Sequence, residues 1–194
     1  MEMYGQTYHC WKKKGHGVVD LRGAIVQSCD TYFYEMSRRL GVDRLKVTAS
    51  RFGLGNKVFK NLYKEEKGGL FPSTSWKKSN LGQGWVLGET LITGIGQGYV
   101  QTTPLQLCLM TAQLANGGFK IYPSLISNNK QESLEKIKYK MQQNLLAEEK
   151  YDSSIIRTAE EFFKPGEKEY TKLFRNQENV KFVLEAMFAS TNQW

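Results

Sequence analysis

The sequence predicts a mainly helical chain with little strand, and three observations carry that reading. Residues 21–52 run in helical spacing through three successive pieces. Thr103-Pro104 opens an apolar stretch that Asn116-Gly117-Gly118 closes, which is the punctuation of a helix start and stop. Only Phe119 to Ile126 reads as strand, and Pro123 interrupts it. At 194 residues the chain has the length of one ordinary domain, enough to bury a core.

In chain order, residues 1–20 read as loop, with Gly5, Gly15 and Gly17 around the basic run Lys12 to Lys14. Leu21 to Gln27 is a short helix with Ala24, Ile25 and Val26 turned inward. Ser28-Cys29-Asp30 breaks the pattern, and Asp30 or Thr31 is placed to cap the next helix. Phe33, Met36 and Leu40 mark that helix's inner face, and Gly41 ends it. A third helix, Val42 to Phe52, stops at Gly53-Leu54-Gly55. Residues 53–95 show little periodicity and read as a long loop, with Trp76 and Trp85 packing parts of it down.

Gly94 to Gly98 is a glycine-rich turn. The helix after it, with Thr103 as N-cap and Pro104 at its first position, is apolar on nearly all sides and is expected to be buried. Residues 127–150 are polar and charged, a surface excursion. Ile155 to Phe163 and Val180 to Ala189 are amphipathic helix candidates, and the sequence shows no internal repeat.

Composition is that of a globular protein, 40% hydrophobic and 24% charged. The net charge of +8 admits nucleic acid, anionic lipid or an acidic polymer as partner. No nucleic-acid-binding signature accompanies it and the lysines are scattered, so the charge reads as a solvated basic surface. There is no run of about 18 apolar residues to span a membrane, and Met1-Glu-Met-Tyr-Gly lacks the pattern of a signal peptide. Three cysteines are an odd number and suggest no disulfide framework.

Two constellations carry chemistry. Cys10, His16 and Cys29 offer soft sulfur and imidazole donors of the kind zinc takes, but the spacing is not that of a standard finger and a fourth ligand is missing. The alternative is a buried Cys29 with an exposed Cys10. Ser28, Cys29 and Asp30 hold a hydroxyl, a thiol and a carboxylate at an elbow between two helices. Asp30 alone would activate Ser28 poorly as a nucleophile, so passing a proton or holding a substrate amide is the easier role. The turn at 94–98 lacks the Gly-Lys-Ser/Thr ending of a phosphate loop.

Read together, the motifs form a recognisable series. Gly15-His16-Gly17 precedes Ser-Cys-Asp-Thr-Tyr-Phe-Tyr at 28–34; Gly-Leu-Gly at 53–55, Pro72 with Trp76-Lys77, and Trp-Val-Leu-Gly-Glu-Thr at 85–90 follow. Ile-Gly-Gln-Gly-Tyr at 95–99, Thr-Pro-Leu-Gln-Leu at 103–107 and Ala-Asn-Gly-Gly at 115–118 complete it. The order resembles the transpeptidase domain of the class B penicillin-binding proteins, elongation type. The likeness covers residues 8–126 strongly and the last helix weakly. It implies an α/β fold of the serine β-lactamase and transpeptidase kind, of which residues 1–194 would be a partial domain: mostly the helical subdomain, without the central strands, and with 127–178 as a variable insertion.

The family works through a Ser-x-x-Lys, a Ser-x-Asn and a Lys-Thr/Ser-Gly motif. Ser28-Cys29-Asp30 falls on the second, with Asp30 in the Asn place. The resemblance implies that Ser28 joins a proton relay during acylation, while Asp30 holds that network and the substrate backbone. No Lys-Thr-Gly or Lys-Ser-Gly occurs, and the Ser-x-x-Lys matches at Ser75/Lys78, Ser127/Lys130 and Ser133/Lys136 all lie downstream of Ser28. The nucleophile is therefore expected outside this chain, as an internal piece of a longer protein inactive alone. Zinc at Cys10, His16 and Cys29, with a further ligand upstream, is implied as well. So are peptidoglycan stem peptides, a lipid-linked precursor, β-lactams and membrane proteins of the elongation machinery as partners, no nucleic acid, and a place at the periplasmic face of the inner membrane. The other reading of the same piece is a non-catalytic module for cell-wall assembly.

Overall fold

In the computed structural model, residues 2–3, 5–59, 65–123 and 171–192 are described. The polar stretch 127–150, the helix expected at 155–163 and nearly all of the 127–178 insertion lie outside them. The chain begins with a small antiparallel hairpin, β1 (Glu2–Met3) paired with β2 (Gln6–Thr7), where loop alone was expected. Seven helices follow among the described residues: α1 (Leu21–Val26), α2 (Asp30–Leu40), α3 (Val42–Arg51), α4 (Thr74–Leu81), α5 (Leu87–Gly94), α6 (Pro104–Ala115) and α7 (Gln177–Asn192).

Local chemistry accounts for most of the boundaries. The Asp20 carboxylate accepts from the Gly23 amide and starts α1. Gly41, at φ 78°, ends α2 and turns the chain into α3, a conformation that favours glycine. On the exposed face of α2, Arg38 and Arg39 grip Glu35 and hold its carboxyl down at about 2. Thr103 accepts from Gln106 N–H while the Gln106 side chain accepts from Thr103 N–H, a reciprocal cap that starts α6 where the sequence placed it.

The stretch 53–95 is not a long loop, because α4 and α5 form inside it. Ser73 caps α4 by accepting from Trp76 N–H, and Gly82 closes it in the left-handed region. Glu89 reaches back to Val86 N–H at the start of α5. Both helices have only eight residues, too few to show a period, and are held by caps and tertiary contacts.

The core forms where α2 lies on α5 and α1 on α7. Ala24, Leu91, Ala186 and Ala189 are essentially inaccessible. The inner face of α2 departs from the expected Phe33, Met36 and Leu40: Tyr34 and Ser37 are buried, whereas Leu40 is exposed. Ser37 turns its hydroxyl onto Phe33 O at 2.6 Å, which lets Gly94 of α5 approach so closely that a Cβ there would lie 1.7 Å from that hydroxyl oxygen. A large residue at either position would push the helices apart.

Helix α6 overturns another expectation. Its buried residues are Gln106 and Gln113, while Leu105, Leu107 and Cys108 are exposed. Gln106 donates to Asn56 O and Gly68 O, both at 2.6 Å, and Gln113 donates to Phe52 O while accepting from Ile121 N–H. These amides satisfy loop backbone that would otherwise be orphaned, so burying them is favourable. The strand expected at Phe119 to Ile126 is reduced to a bridge between Phe119 and Lys172. The last helix runs longer than expected, from Gln177 to Asn192.

Candidate functional site at the helix elbow

The elbow between α1 and α2 is a helix C-terminus with one unusual residue. Ser28 N–H bonds Ile25 O at 3.2 Å and Cys29 N–H bonds Ala24 O at 2.9 Å, the pair of bonds that closes a Schellman motif. The residue between them needs a left-handed backbone, and glycine normally supplies it. Here it is Ser28, at φ 51°, the sole described residue other than glycine with positive φ. Such a conformation costs a residue with a Cβ about 1–2 kcal/mol. Strain of this kind persists where the side chain is needed. The Ser28 hydroxyl is exposed and bonds to no described residue, so it faces solvent and not packed hydrocarbon.

Asp30 does not cap α2. Cys29 occupies the cap position without a side-chain hydrogen bond, and the Asp30 carboxylate instead accepts from Trp11 N–H at 3.0 Å. The Trp11 indole N–H donates to Ser28 O at 2.8 Å and to Gln27 O at 3.2 Å. One residue of the preceding loop thus holds both sides of the strained turn. Sequence reading passed over Trp11; its signal was a large aromatic beside Cys10, 58% exposed and so not there to fill a core.

The same loop brings the sulfur and imidazole groups together. Cys10 Sγ lies 3.4 Å from His16 Nδ1, and with Cys29 Sγ the three donors fall within 4.8 Å of one another. A tetrahedral ion with sulfur at about 2.3 Å and nitrogen at about 2.0 Å sets its donors roughly 3.5–3.8 Å apart, so this cluster fits zinc after a small adjustment. Cys29 is buried and Cys10 half-buried, as the alternative reading of the thiols also required. The His16 ring packs edge-on to Trp11, and its buried Nε2 finds no partner among the described residues. Burial pushes the Cys10 thiol up, but the amides of Lys12, Asp30 and Thr31 outweigh it and bring it below its ordinary value. Burial, with Cys10 beside it, raises Cys29.

A second polar cluster sits at α4 and α5. The Lys77 ammonium, buried, meets Glu89 Oε1 at 2.5 Å, and Tyr99 OH donates to the same oxygen at 3.2 Å. Trp76 and Trp85 pack against Tyr99, and Trp85 Nε1 bonds Thr90 Oγ1. Burial pushes Glu89 up, yet Lys77, the Val86 amide and Tyr99 outweigh it and leave the carboxyl below its ordinary range. The Ser75/Lys78 match lies on α4: Ser75 Oγ is 3.1 Å from Ser73 Oγ, itself buried as the helix cap, and Lys78 is exposed. That arrangement contains no activated nucleophile. The matches at Ser127/Lys130 and Ser133/Lys136 fall outside the described residues.

Residues 1–180 match the family model of the penicillin-binding protein transpeptidase domain. The chain belongs to that family. Peptidoglycan D,D-transpeptidase MrdA of Acinetobacter baumannii is 41% identical over 116 residues, 60% of this chain and 17% of that protein. The protein of the same name from Escherichia coli K12 is 36% identical over 121 residues, 62% of this chain and 19% of that protein. The chain therefore spans less than a fifth of the length of these relatives. PBP2 of Helicobacter pylori superposes with a TM-score of 0.68 at 26% identity, over 96% of this chain and 28% of that one. PBP2 of Pseudomonas aeruginosa, solved in complex with WCK 5153, gives 0.58 at 37% identity, over 81% and 40%. The expected fold class stands: a part of the α/β transpeptidase domain, mostly helical, with few strands.

Proposed function

We propose that this chain supplies the Ser-x-Asp elbow of a peptidoglycan D,D-transpeptidase, in which a serine outside the chain attacks one stem peptide and passes the acyl group to an amine of another. The observation that carries the reading is Ser28: a solvent-facing hydroxyl in a left-handed position that glycine would occupy at lower cost. Its hydroxyl relays a proton to or from the reacting group during acylation. Asp30, fixed by Trp11 N–H, keeps the elbow oriented and faces the substrate backbone. β-Lactams acylate the same outside serine. A lipid-linked precursor is the natural carrier of the stem peptide, and the site works at the periplasmic face of the inner membrane. Among the described residues no helix is long and apolar enough to cross a membrane.

Cys10, His16 and Cys29 would hold a zinc ion with a fourth ligand from elsewhere. Bound there, zinc supplies a structural clamp, joining the Lys12–Lys14 loop to the elbow without entering the reaction. Helicobacter pylori PBP2 has been solved in a complex with MreC, at 36% identity and a TM-score of 0.61 over 68% of this chain and 24% of that one. A membrane-associated shape protein of that kind is the partner proposed here.

Fluorescent penicillin tests the proposal. The 194-residue chain is expected to stay unlabelled, and a covalent band on it would refute the claim that the nucleophile lies elsewhere. In the protein expressed with its flanking sequence, Ser28→Ala should slow acylation about 10²–10⁴-fold. Unchanged acylation would remove Ser28 from the mechanism. Metal analysis of the same samples reads zinc independently of acylation.

A further inference from the structure

On the surface made by α3, α6 and the Phe119–Lys172 bridge lies a cleft of about 620 Å³ whose lining includes Arg51, Lys57, Lys120 and Lys172 and no carboxylate. Its floor is fastened by the 2%-exposed Gln113, which donates to Phe52 O and accepts from Ile121 N–H. Lys120 and Lys172 are set side by side by backbone bonds from Lys120 N–H to Thr171 O and from Leu173 N–H to Gly118 O, each 2.9 Å. Lys120 also sits 4.9 Å over the Tyr122 ring. None of the described ion pairs involves Arg51, Lys120 or Lys172. Four like charges gathered around one cavity repel one another, and an anion between them relieves that cost.

We propose that this cleft binds a phosphate-bearing anion with an organic body. One negative charge would leave the cluster unbalanced, so a diphosphate or a clustered phosphate fits better than a carboxylate. The volume, within the roughly 300–1,000 Å³ range of small-molecule sites, and the apolar side of the lining at Val58, Leu109 and Pro123 admit more than a bare ion. A nucleic acid would track an extended basic stripe with several stacking aromatics; here the cations converge on one hollow with Tyr122 as its single ring. The phosphate can come from a soluble diphosphate or from an anionic lipid headgroup. The inference is independent of the transpeptidase reading.

The test titrates the 194-residue chain with inorganic pyrophosphate by calorimetry and, separately, floats it with phosphatidylcholine vesicles containing phosphatidic acid. Binding to pyrophosphate assigns the soluble source; flotation without pyrophosphate binding assigns the headgroup. Either supports the site if Lys120→Gln/Lys172→Gln weakens it about tenfold while the control pair Lys78→Gln/Lys181→Gln changes it less than about twofold. Arg51→Gln must shift binding in the same direction, which keeps the test standing should the double variant lose its helical circular dichroism. Absence of both interactions overturns the proposal. So does equal weakening by the control pair, or a single-stranded RNA that binds more tightly than either probe and is indifferent to Lys120 and Lys172, since each of these describes diffuse surface charge.

Discussion

The Ser28 elbow and the Lys77–Glu89 cluster use similar parts to opposite ends. Each combines a carboxylate, a hydroxyl and a tryptophan near a helix N-terminus. At the elbow the hydroxyl is left unbonded and exposed on a strained backbone, with Trp11 gripping main-chain atoms around it. At the cluster every polar group is turned inward onto another: ammonium to carboxylate, phenol to carboxylate, indole to threonine. Burial makes the second a fastening, because buried charges survive only when paired, and removing one partner strands the other. Exposure makes the first a reactive surface, because an unbonded hydroxyl costs little in water and stays available to a substrate.

Substitutions can break or sharpen that contrast. The largest effect belongs to Glu89→Ala, which leaves the Lys77 ammonium buried without its counter-charge and should cost about 3–5 kcal/mol in denaturant unfolding. Acid titration tests the same group. The folded carboxyl lies below its ordinary value of 4.5, so its contribution is complete above pH 4.5 and is lost as the pH falls through the lowered folded value. Glu89→Gln should flatten that part of the stability profile; a profile as steep as the parent's would assign the acid sensitivity elsewhere.

Next comes Gln106→Met, which abandons the carbonyls of Asn56 and Gly68 in a dry site, at about 2–3 kcal/mol by thermal or chemical melting. At the elbow the effects are smaller and of mixed sign. Trp11→Phe keeps a ring but loses the indole bonds to Ser28 O and Gln27 O. It should cost about 1 kcal/mol, with faster amide exchange confined to residues near the turn. Ser28→Gly should stabilise by about 1 kcal/mol, since glycine takes φ 51° without strain. A destabilised Ser28→Gly would mean that the hydroxyl has a structural role after all, and would dissolve the contrast. The smallest change is Leu107→Gln on the exposed face of α6, within about 0.5 kcal/mol.

Legibility in the sequence followed the range of the interaction. Helix ends written in neighbouring residues were readable: Thr103-Pro104 at the start of α6, Asn116-Gly117-Gly118 after it, Gly41 between α2 and α3. The Ser28-Cys29-Asp30 elbow was visible as a break in period, and the trio Cys10, His16 and Cys29 as a set of metal-type donors. Missed were α4 and α5, whose eight residues apiece carry no full period. Trp11 went unnoticed because what it does depends on where the loop crosses the elbow, and spacing along the chain does not encode that crossing.

The deepest reversal lies in α6. From its residues alone the leucines belonged inside and the glutamines outside, by the cost of burying an amide. Folding inverted the assignment, because the surrounding loops present bare carbonyls of Phe52, Asn56 and Gly68 that only a side-chain amide can satisfy. Residue order thus specified where the helices start and stop and which reactive groups meet at the elbow, since caps, breaks and glycine turns act over three or four residues. Which face is buried, which hydroxyl stays free and which carboxylate is paired were decided by tertiary structure, because burial and hydrogen bonding depend on partners tens of residues away.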